Sequence, residues 1–489
     1  MINIVVCVTN YKNKLAIGRN GDLLFKLKED MKFFKNLTSN SLSKQSKLTK
    51  NIVLMGRKTY FSIPLKFRPL NNRINIVLTR DPELIKISPI PNNLRLTKDV
   101  YYTDLDTFNK VYIKHNPNVF VIGGSELYNL FLKQASKLYV THVEDTKFEK
   151  GKEPDTFMNY FTSDYKLDGM SEKYIQQDLN YRILYYSKSK KLSEESNYLN
   201  LMDEILTYGN KRTDRTGTGT LSIFGARMKF DISRNIPMMT TKKVPFKTIL
   251  EELLFFVRGD TDAKILQKKG IKIWDGNTSR EFLDKRGLNH YETGIMGPMY
   301  GYSWCHFGAE YSQDFADTSK IDTSIIGGVN QLQNAIDLLK TDPYSRRIII
   351  SAWDPTMMDK MVLANCHILL QFYVTEENGI KYLSCQFYQR SSDQLAFCFN
   401  VVSYSILTHI LAKKCGMKPK DIIYIAGDTH IYLNHIQGVK EQLNRQTLPL
   451  PNLLVKDCVK DKSWSDITAD DFEMIGYFSH PFIKMPMAI

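Results

Sequence analysis

Cys366 lies in Ala364-Asn365-Cys366-His367, just ahead of the apolar, strand-like run Ile368-Leu369-Leu370-Gln371-Phe372-Tyr373-Val374. A second strand-like run ends at Tyr388-Gln389-Arg390-Ser391. A thiol at a strand edge with an arginine on the next strand suits a nucleophile, because a nearby cation favours the thiolate. A free cysteine is more often an inert core residue, and the arginines around this one weigh against that. Arg215 begins Arg215-Thr216-Gly217-Thr218-Gly219-Thr220, a glycine- and hydroxyl-rich loop expected to be flexible, before a strand at 221–224. Arg346-Arg347 closes a polar turn before Ile348-Ile349-Ile350. With Arg390 and Ser391 these residues offer guanidinium forks and a hydroxyl suited to a phosphate dianion. Taken singly, each arginine reads as a solvated surface charge. Glu252 sits among Ile249, Leu250, Leu253 and Leu254, and partial burial there would raise a carboxyl pKa toward acid–base use.

The elements that carry these residues fall into two regions. Up to Tyr186 strand-like runs at 4–8, 51–55, 73–78, 119–122, 137–142 and 181–186 alternate with helical patterns at 27–38 and 126–133, as in an α/β sheet domain. Residues 187–197 are polar, charged and without hydrophobic periodicity, which marks a linker. From Tyr198 an amphipathic pattern (Leu199, Leu201, Met202, Ile205, Leu206) opens a second domain expected to span 198–489. A length of 489 residues with 43% hydrophobic content supports several cores. No run reaches the roughly 18 apolar residues of a membrane span, and the N-terminus reads as a buried strand, so no membrane partner is expected. Seven scattered cysteines without pair spacing suggest a reducing, cytoplasmic setting, and no metal is expected. The net charge of +14 is spread along the chain instead of forming one basic arm. That distribution reads first as compositional drift, and beyond that it suits small anionic ligands better than nucleic acid.

Over nearly all of 198–489 the sequence resembles thymidylate synthase. The resemblance rests on Asp214-Arg215-Thr216-Gly217-Thr218-Gly219-Thr220, Glu251-Glu252-Leu253-Leu254-Phe255-Phe256, Ile273-Trp274-Asp275 and Gly297-Pro298-Met299-Tyr300-Gly301. It continues in Ser345-Arg346-Arg347-Ile348-Ile349, Cys366-His367, Tyr388-Gln389-Arg390-Ser391 and Gly427-Asp428-Thr429-His430-Ile431-Tyr432, all in family order. It implies methylation of dUMP by 5,10-methylenetetrahydrofolate, with Cys366 adding to uracil C6. Glu252 would support proton transfer around O4, and Tyr300 would help remove the C5 proton. Arg215, Arg390 and Ser391 would hold the phosphate, with Arg346 and Arg347 supplied by the other subunit of a homodimer formed through this domain. Asn400 would read the uracil amide edge, His430 and Tyr432 the ribose, with His367 and Gln389 also at the nucleotide. Asp393 would reach both nucleotide and folate, hydrogen-bonding the pterin. Three positions depart from the family pattern: Asn365 replaces the usual proline, Cys305 the usual arginine, and the segment 394–399 is one residue shorter.

Residues 1–186 resemble dihydrofolate reductase. The carrying pieces are Ile17-Gly18-Arg19-Asn20-Gly21-Asp22-Leu23, Met55-Gly56-Arg57-Lys58-Thr59, Arg68-Pro69-Leu70-Asn71-Asn72-Arg73 and Val121-Ile122-Gly123-Gly124-Ser125-Glu126-Leu127-Tyr128, with Thr141-His142 following. On this resemblance Asp30 would sit in the pterin pocket and support N5 protonation. Phe34, Ile63 and Thr141 would line that pocket, and Arg73 would pair with the folate α-carboxylate. NADPH would be held by Cys7, Ile17, Arg57, Lys58, Thr59, Thr79, Arg80, Gly123, Gly124, Ser125 and Glu126. Phe25 stands where the family has tryptophan, so altered kinetics are expected.

The expected fold class is therefore α/β, a dihydrofolate reductase-like mixed-sheet domain fused to a thymidylate synthase-like α+β domain. Both activities are expected in one chain. An open alternative is an active reductase fused to an impaired synthase domain kept for dimerisation.

Overall fold

The structure is a computed structural model describing residues 1–39, 50–92, 96, 98–144, 146–189, 193–214 and 216–485. The chain divides into two compact units, Met1–Leu192 and Ser193–Ile489.

In the first unit the continuous apolar runs become the middle of a 12-stranded sheet. Its main path runs Tyr165–Met170, Leu179–Lys188, Lys137–Val143, Ile2–Tyr11, Val119–Gly123, Asn51–Gly56, Arg73–Leu78 and Val100–Thr103. From Lys137–Val143 onward every neighbouring pair on this path is parallel. Parallel strands are covered on both faces, which is why Ile52, Val53, Leu54 and Met55 are all fully buried without alternation. The parallel order brings the carboxyl ends of several strands to one sheet edge, where Gly56, Leu78, Thr103 and Gly123 lie in register. Open α/β sheets bind ligands at that edge.

All six expected strands form, several of them longer than the sequence suggested. Short strands at Lys14–Arg19, Val100–Thr103, Thr156–Met158 and Tyr165–Met170, and the helix Leu105–His115, were not anticipated.

The second unit is built on a six-stranded sheet in the order Asn210–Arg212, Thr220–Asp231, Lys418–Tyr432, Ile380–Asp393, His367–Glu377, Ile349–Ser351. The strand expected at 221–224 extends to Asp231. The helix Phe397–Lys414 is apolar on most sides and buries residues such as Val401, Tyr404, Ile406 and Leu411, as a helix enclosed by other elements must. It shares one core with the sheet residues Leu370, Phe372, Phe387 and Tyr424 and with the helix Phe246–Val257. The opposite sheet face leaves Ile349, Leu369 and Tyr373 exposed, and Phe224 on Thr220–Asp231 is exposed as well.

The polar stretch 187–197 is taken up from both sides. Leu179–Lys188 keeps pairing through Ser187, and the next helix is Glu195–Tyr208. Residues 190–192 lie outside the described residues. Glu195 is fully buried: its carboxylate accepts the N–H and O–H groups of Thr240 and Thr241 at 2.5–3.0 Å. Composition alone marks 193–197 as solvated, because these partners come from a distant loop.

Stranding those buried donors costs about 1–3 kcal/mol each. Glu195→Ala is therefore expected to lower the stability of the second unit by at least about 3 kcal/mol. All four tryptophans lie in this unit, so tryptophan fluorescence during urea unfolding reports it alone. An unchanged midpoint would contradict the expectation.

Candidate active sites

Cys366 occupies a bend just before the strand His367–Glu377 and is half-buried. The neighbouring strand Ile380–Asp393 delivers Arg390, as expected from sequence. Arg390 fixes the backbone around the thiol. Its Nε donates to the Asn365 carbonyl and Nη2 to that of Ala364, each at 2.8 Å. Its backbone N–H donates to the Cys366 carbonyl at 2.9 Å. A guanidinium carries five N–H donors, so three remain for an anion. Trp353 lies beneath the same guanidinium at 5.5 Å.

Tyr300 reaches the nucleophile from the turn after Gly297-Pro298. Its hydroxyl accepts the Cys366 N–H at 3.0 Å, and its ring stacks on His367 at 4.1 Å. Its backbone sits at φ 30°, ψ −87°, a left-handed conformation costing on the order of 1–3 kcal/mol for a non-glycine residue. Burial and the neighbouring Cys366 push the phenol well above its ordinary pKa. His367 is buried and hydrogen-bonds the Tyr404 hydroxyl through Nδ1. Burial lowers its pKa to about 3, so the imidazole is neutral.

Glu252 retains some accessible surface, but its carboxyl group is enclosed by protein, and burial raises its pKa to about 7. The Trp274 indole N–H donates to it at 2.9 Å and partly offsets that rise. Gln389 is buried; its Oε1 accepts from Asn400 Nδ2 and its Nε2 donates to the Ser391 carbonyl, both at 3.0 Å. That leaves the Asn400 carbonyl and one N–H without a protein partner among the described residues.

His430 hydrogen-bonds Asp428 at 2.9 Å, and the Tyr432 ring stands edge-on to it at 5.3 Å. Asp393 accepts the Leu395 N–H at 3.0 Å, and burial raises its pKa. A small cavity beside it is lined by Tyr198, Lys242, Gln394, Leu395 and His435. Lys242 was not singled out from sequence. The polar word Thr240-Thr241-Lys242 between apolar stretches is the signal that could have found it.

Three expected phosphate-binding arginines remain. Arg346 and Arg347 are exposed, and their guanidinium groups have no carboxylate partner among the described residues. Arg215 lies outside the described residues. The Asp214 carboxylate accepts the N–H groups of Thr216 and Gly219 at 2.8 and 2.7 Å.

The three departures are accommodated by packing. Cys305 is a buried thiol pushed up to about 12 by burial, with Sγ 3.6 Å from the Val257 carbonyl. The shortened segment is tied down by Tyr198, whose hydroxyl donates to the Gln394 carbonyl at 2.8 Å and whose ring stacks on Phe397 at 4.9 Å. Asn365 is fully buried and hydrogen-bonded. None of them favours an impaired synthase.

In the first unit Asp30, on the helix Lys28–Ser39, is buried and accepts the Thr141 hydroxyl at 2.5 Å. Burial raises its pKa, and the Thr141 bond opposes the rise. Cys7 lies opposite Thr141 in the sheet, and burial with the nearby Asp30 charge raises its thiol pKa. Phe34 and Ile63 pack on the core that includes Val5 and Phe120. Arg73 is buried, donating to Thr38 Oγ1 at 2.9 Å and to the Asn71 carbonyl at 3.0 Å, with Phe34 beside it at 5.5 Å. It has no carboxylate partner among the described residues. Phe25 packs with Cys7 around Leu27, Val143 and Tyr181.

The parallel-strand edge collects most of the cofactor candidates. Arg57, Lys58 and Thr59 follow Asn51–Gly56, Thr79 and Arg80 follow Arg73–Leu78, and Gly124, Ser125 and Glu126 follow Val119–Gly123. Gly123 has φ 140°, and a Cβ there would meet Thr59 Cγ2 at 3.0 Å, so only glycine keeps this turn open. Arg57 pairs with Asp81 at 3.1 Å, while Lys58, Arg80 and Glu126 are exposed. Ile17, on Lys14–Arg19, is half-buried. An open glycine cradle ringed by cations fits the phosphates of a dinucleotide.

Fold and sites together define a two-unit folate and nucleotide enzyme, one unit with an α/β cofactor edge and one with a strand-edge thiol. Residues 196–489 match the thymidylate synthase family and residues 1–188 the dihydrofolate reductase family. The bifunctional dihydrofolate reductase-thymidylate synthase of Zea mays is 38% identical, covering 97% of this chain and 95% of its own length. Bifunctional dihydrofolate reductase-thymidylate synthase 2 of Arabidopsis thaliana is 40% identical over 99% of this chain and 88% of its own. The Leishmania major enzyme of the same description is 36% identical over 97% and 93%. The chain belongs to the bifunctional dihydrofolate reductase–thymidylate synthase family. It makes dTMP from dUMP with 5,10-methylenetetrahydrofolate and reduces dihydrofolate with NADPH.

Between pH about 4.5 and about 7 folded Glu252 holds a proton that the unfolded chain has released. Its contribution to stability therefore falls as pH rises through that window, by up to about 3 kcal/mol. Glu252→Gln has no such titration. Urea unfolding followed by tryptophan fluorescence at about pH 5 and about pH 8 should show the variant gaining on the unmutated protein at the higher pH. A pH-independent difference would contradict the buried carboxyl assignment.

Proposed function

We propose that Cys366 is the nucleophile that adds to C6 of dUMP, making C5 able to attack the one-carbon unit. The supporting observation is the convergence of Tyr300, His367 and Arg390 on this one residue. Tyr300, a neutral phenol, helps remove the C5 proton, and Glu252, poised near neutrality, moves protons around O4. Asn400 reads the uracil N3–O4 edge with the amide atoms left by its Gln389 bond. His430 and Tyr432 hold the ribose, and Asp393 faces nucleotide and pterin.

Arg390, Ser391 and Arg215 bind the phosphate together with Arg346 and Arg347 of a partner subunit. Two observations support a homodimer through this unit: the exposed apolar sheet face with Ile349, Leu369 and Tyr373, and the exposed Arg346 and Arg347, which have no carboxylate partner among the described residues. Contiguous apolar exposure marks association surfaces.

In the reductase unit Asp30 holds the pterin 2-amino and N3 groups and supports protonation at N5. Phe34, Ile63 and Thr141 enclose the ring. Arg73, a buried cation without a protein carboxylate, binds the folate α-carboxylate. The residues at the parallel-strand edge, with Cys7 and Ile17, hold NADPH, which supplies hydride when bound.

Cys366→Ser is expected to abolish dTMP formation and leave reductase activity unchanged, while Asp30→Asn does the reverse; loss of both by either variant would contradict the assignment. For the shared site, Arg347→Ala and Cys366→Ser should each be inactive as synthase. After mixing and subunit exchange about one quarter of the sites should work, because half the dimers are mixed and each carries one intact site. No recovery would contradict the contribution of a partner arginine.

A further inference from the structure

Asn365 interrupts the family pattern immediately before the nucleophile, and its side chain is engaged at both ends. Nδ2 donates to the Ala352 carbonyl at 2.7 Å, and Oδ1 accepts the backbone N–H of Tyr300 at 3.3 Å. Neither bond is available to a proline or an aliphatic residue. The residue has no exposed surface, so water cannot replace these partners.

The three consecutive residues Asn365, Cys366 and His367 thus hold Tyr300 at three different places. Asn365 takes its backbone N–H, Cys366 donates to its hydroxyl, and His367 stacks on its ring. Tyr300 needs that restraint, because its backbone lies at φ 30°, where a tyrosine stays only if the surroundings fix it. Its next residue, Gly301, cannot move inward, since even a Cβ there would lie 2.3 Å from the Phe256 carbonyl oxygen. The backbone of Asn365 is itself fixed, through its carbonyl bond to Arg390.

We propose that Asn365 is a positioning residue of the synthase site in this chain, its side-chain amide holding the strained Tyr300 backbone so that the tyrosine hydroxyl stays against Cys366. It acts through Tyr300 and touches no reacting atom. The inference rests on Tyr300 assisting removal of the C5 proton after Cys366 has added to the ring. Addition of the thiol itself does not need that hydroxyl in place, so loss of Asn365 slows the later proton removal and spares covalent capture.

The test measures tritium release from C5 of dUMP, with kcat and KM for dUMP, in Asn365→Ala, Tyr300→Phe and the double variant. Asn365→Ala is expected to slow release and kcat by about tenfold or more, with KM within about twofold. In the Tyr300→Phe background the same substitution should change release by less than about twofold, the non-additivity of residues acting through one another. Covalent capture of 5-fluoro-dUMP, which carries no proton at C5, should persist in Asn365→Ala. If the alanine variant does not fold, Asn365→Ser, which lacks the amide that reaches Ala352 and Tyr300, carries the same comparison. Equal fold losses in both backgrounds would overturn the inference. Capture of 5-fluoro-dUMP by the unmutated chain separates that outcome from failure of the underlying assignment of Cys366.

Discussion

The Arg390 guanidinium donates to the carbonyls of Ala364 and Asn365, and its own backbone N–H reaches the carbonyl of Cys366. These bonds fasten the bend before the strand His367–Glu377 to the strand beside it. A nucleophile on an unanchored bend would sample many orientations, and holding reactants in one geometry supplies much of a catalyst's advantage. The clamp also brings the side chains of residues 365–367 to bear on Tyr300. The same side chain retains three donors after fixing the backbone, the donors proposed above for the phosphate.

Around that anchor, burial sets the protonation states the chemistry uses. His367 is neutral because it is enclosed, and serves as a stacking surface for Tyr300. Glu252 is enclosed too, and is brought to about 7, between proton donor and acceptor at neutral pH. In the reductase unit Asp30 follows the same logic, since burial raises its pKa and a single Thr141 hydroxyl bond restrains the rise. Arg73 is the opposite case, a cation kept in a buried setting with no carboxylate partner among the described residues.

The sequence was most informative where local pattern and burial coincide. The apolar runs 51–55 and 119–122 could only be covered strands, and the chemistry-bearing words lay at their ends. Short edge strands such as Val100–Thr103 and Thr156–Met158 carry too few residues for a period to appear. Contacts made over long separations were not legible. Glu195 looked like part of a charged linker because its partners are Thr240 and Thr241. The role of Asn365 was read only as a departure from a pattern, since its partners Ala352 and Tyr300 are 13 and 65 residues away. Lys242 escaped notice for the same reason. The bonds that the Asp214 carboxylate accepts from the N–H groups of Thr216 and Gly219 were not legible either.

Two chemistries share one chain here, and the proposed assignments give carbon–carbon bond formation to a thiol at a strand edge and reduction to a buried carboxyl beside a parallel-strand edge. The placement of the thiol can be read directly by mass spectrometry of the protein denatured after incubation with 5-fluoro-dUMP and 5,10-methylenetetrahydrofolate. A covalent adduct on the peptide that contains Cys366, absent from Cys366→Ser, is the predicted result. No adduct in the unmutated chain, or an adduct on any of the other six cysteines, would contradict it.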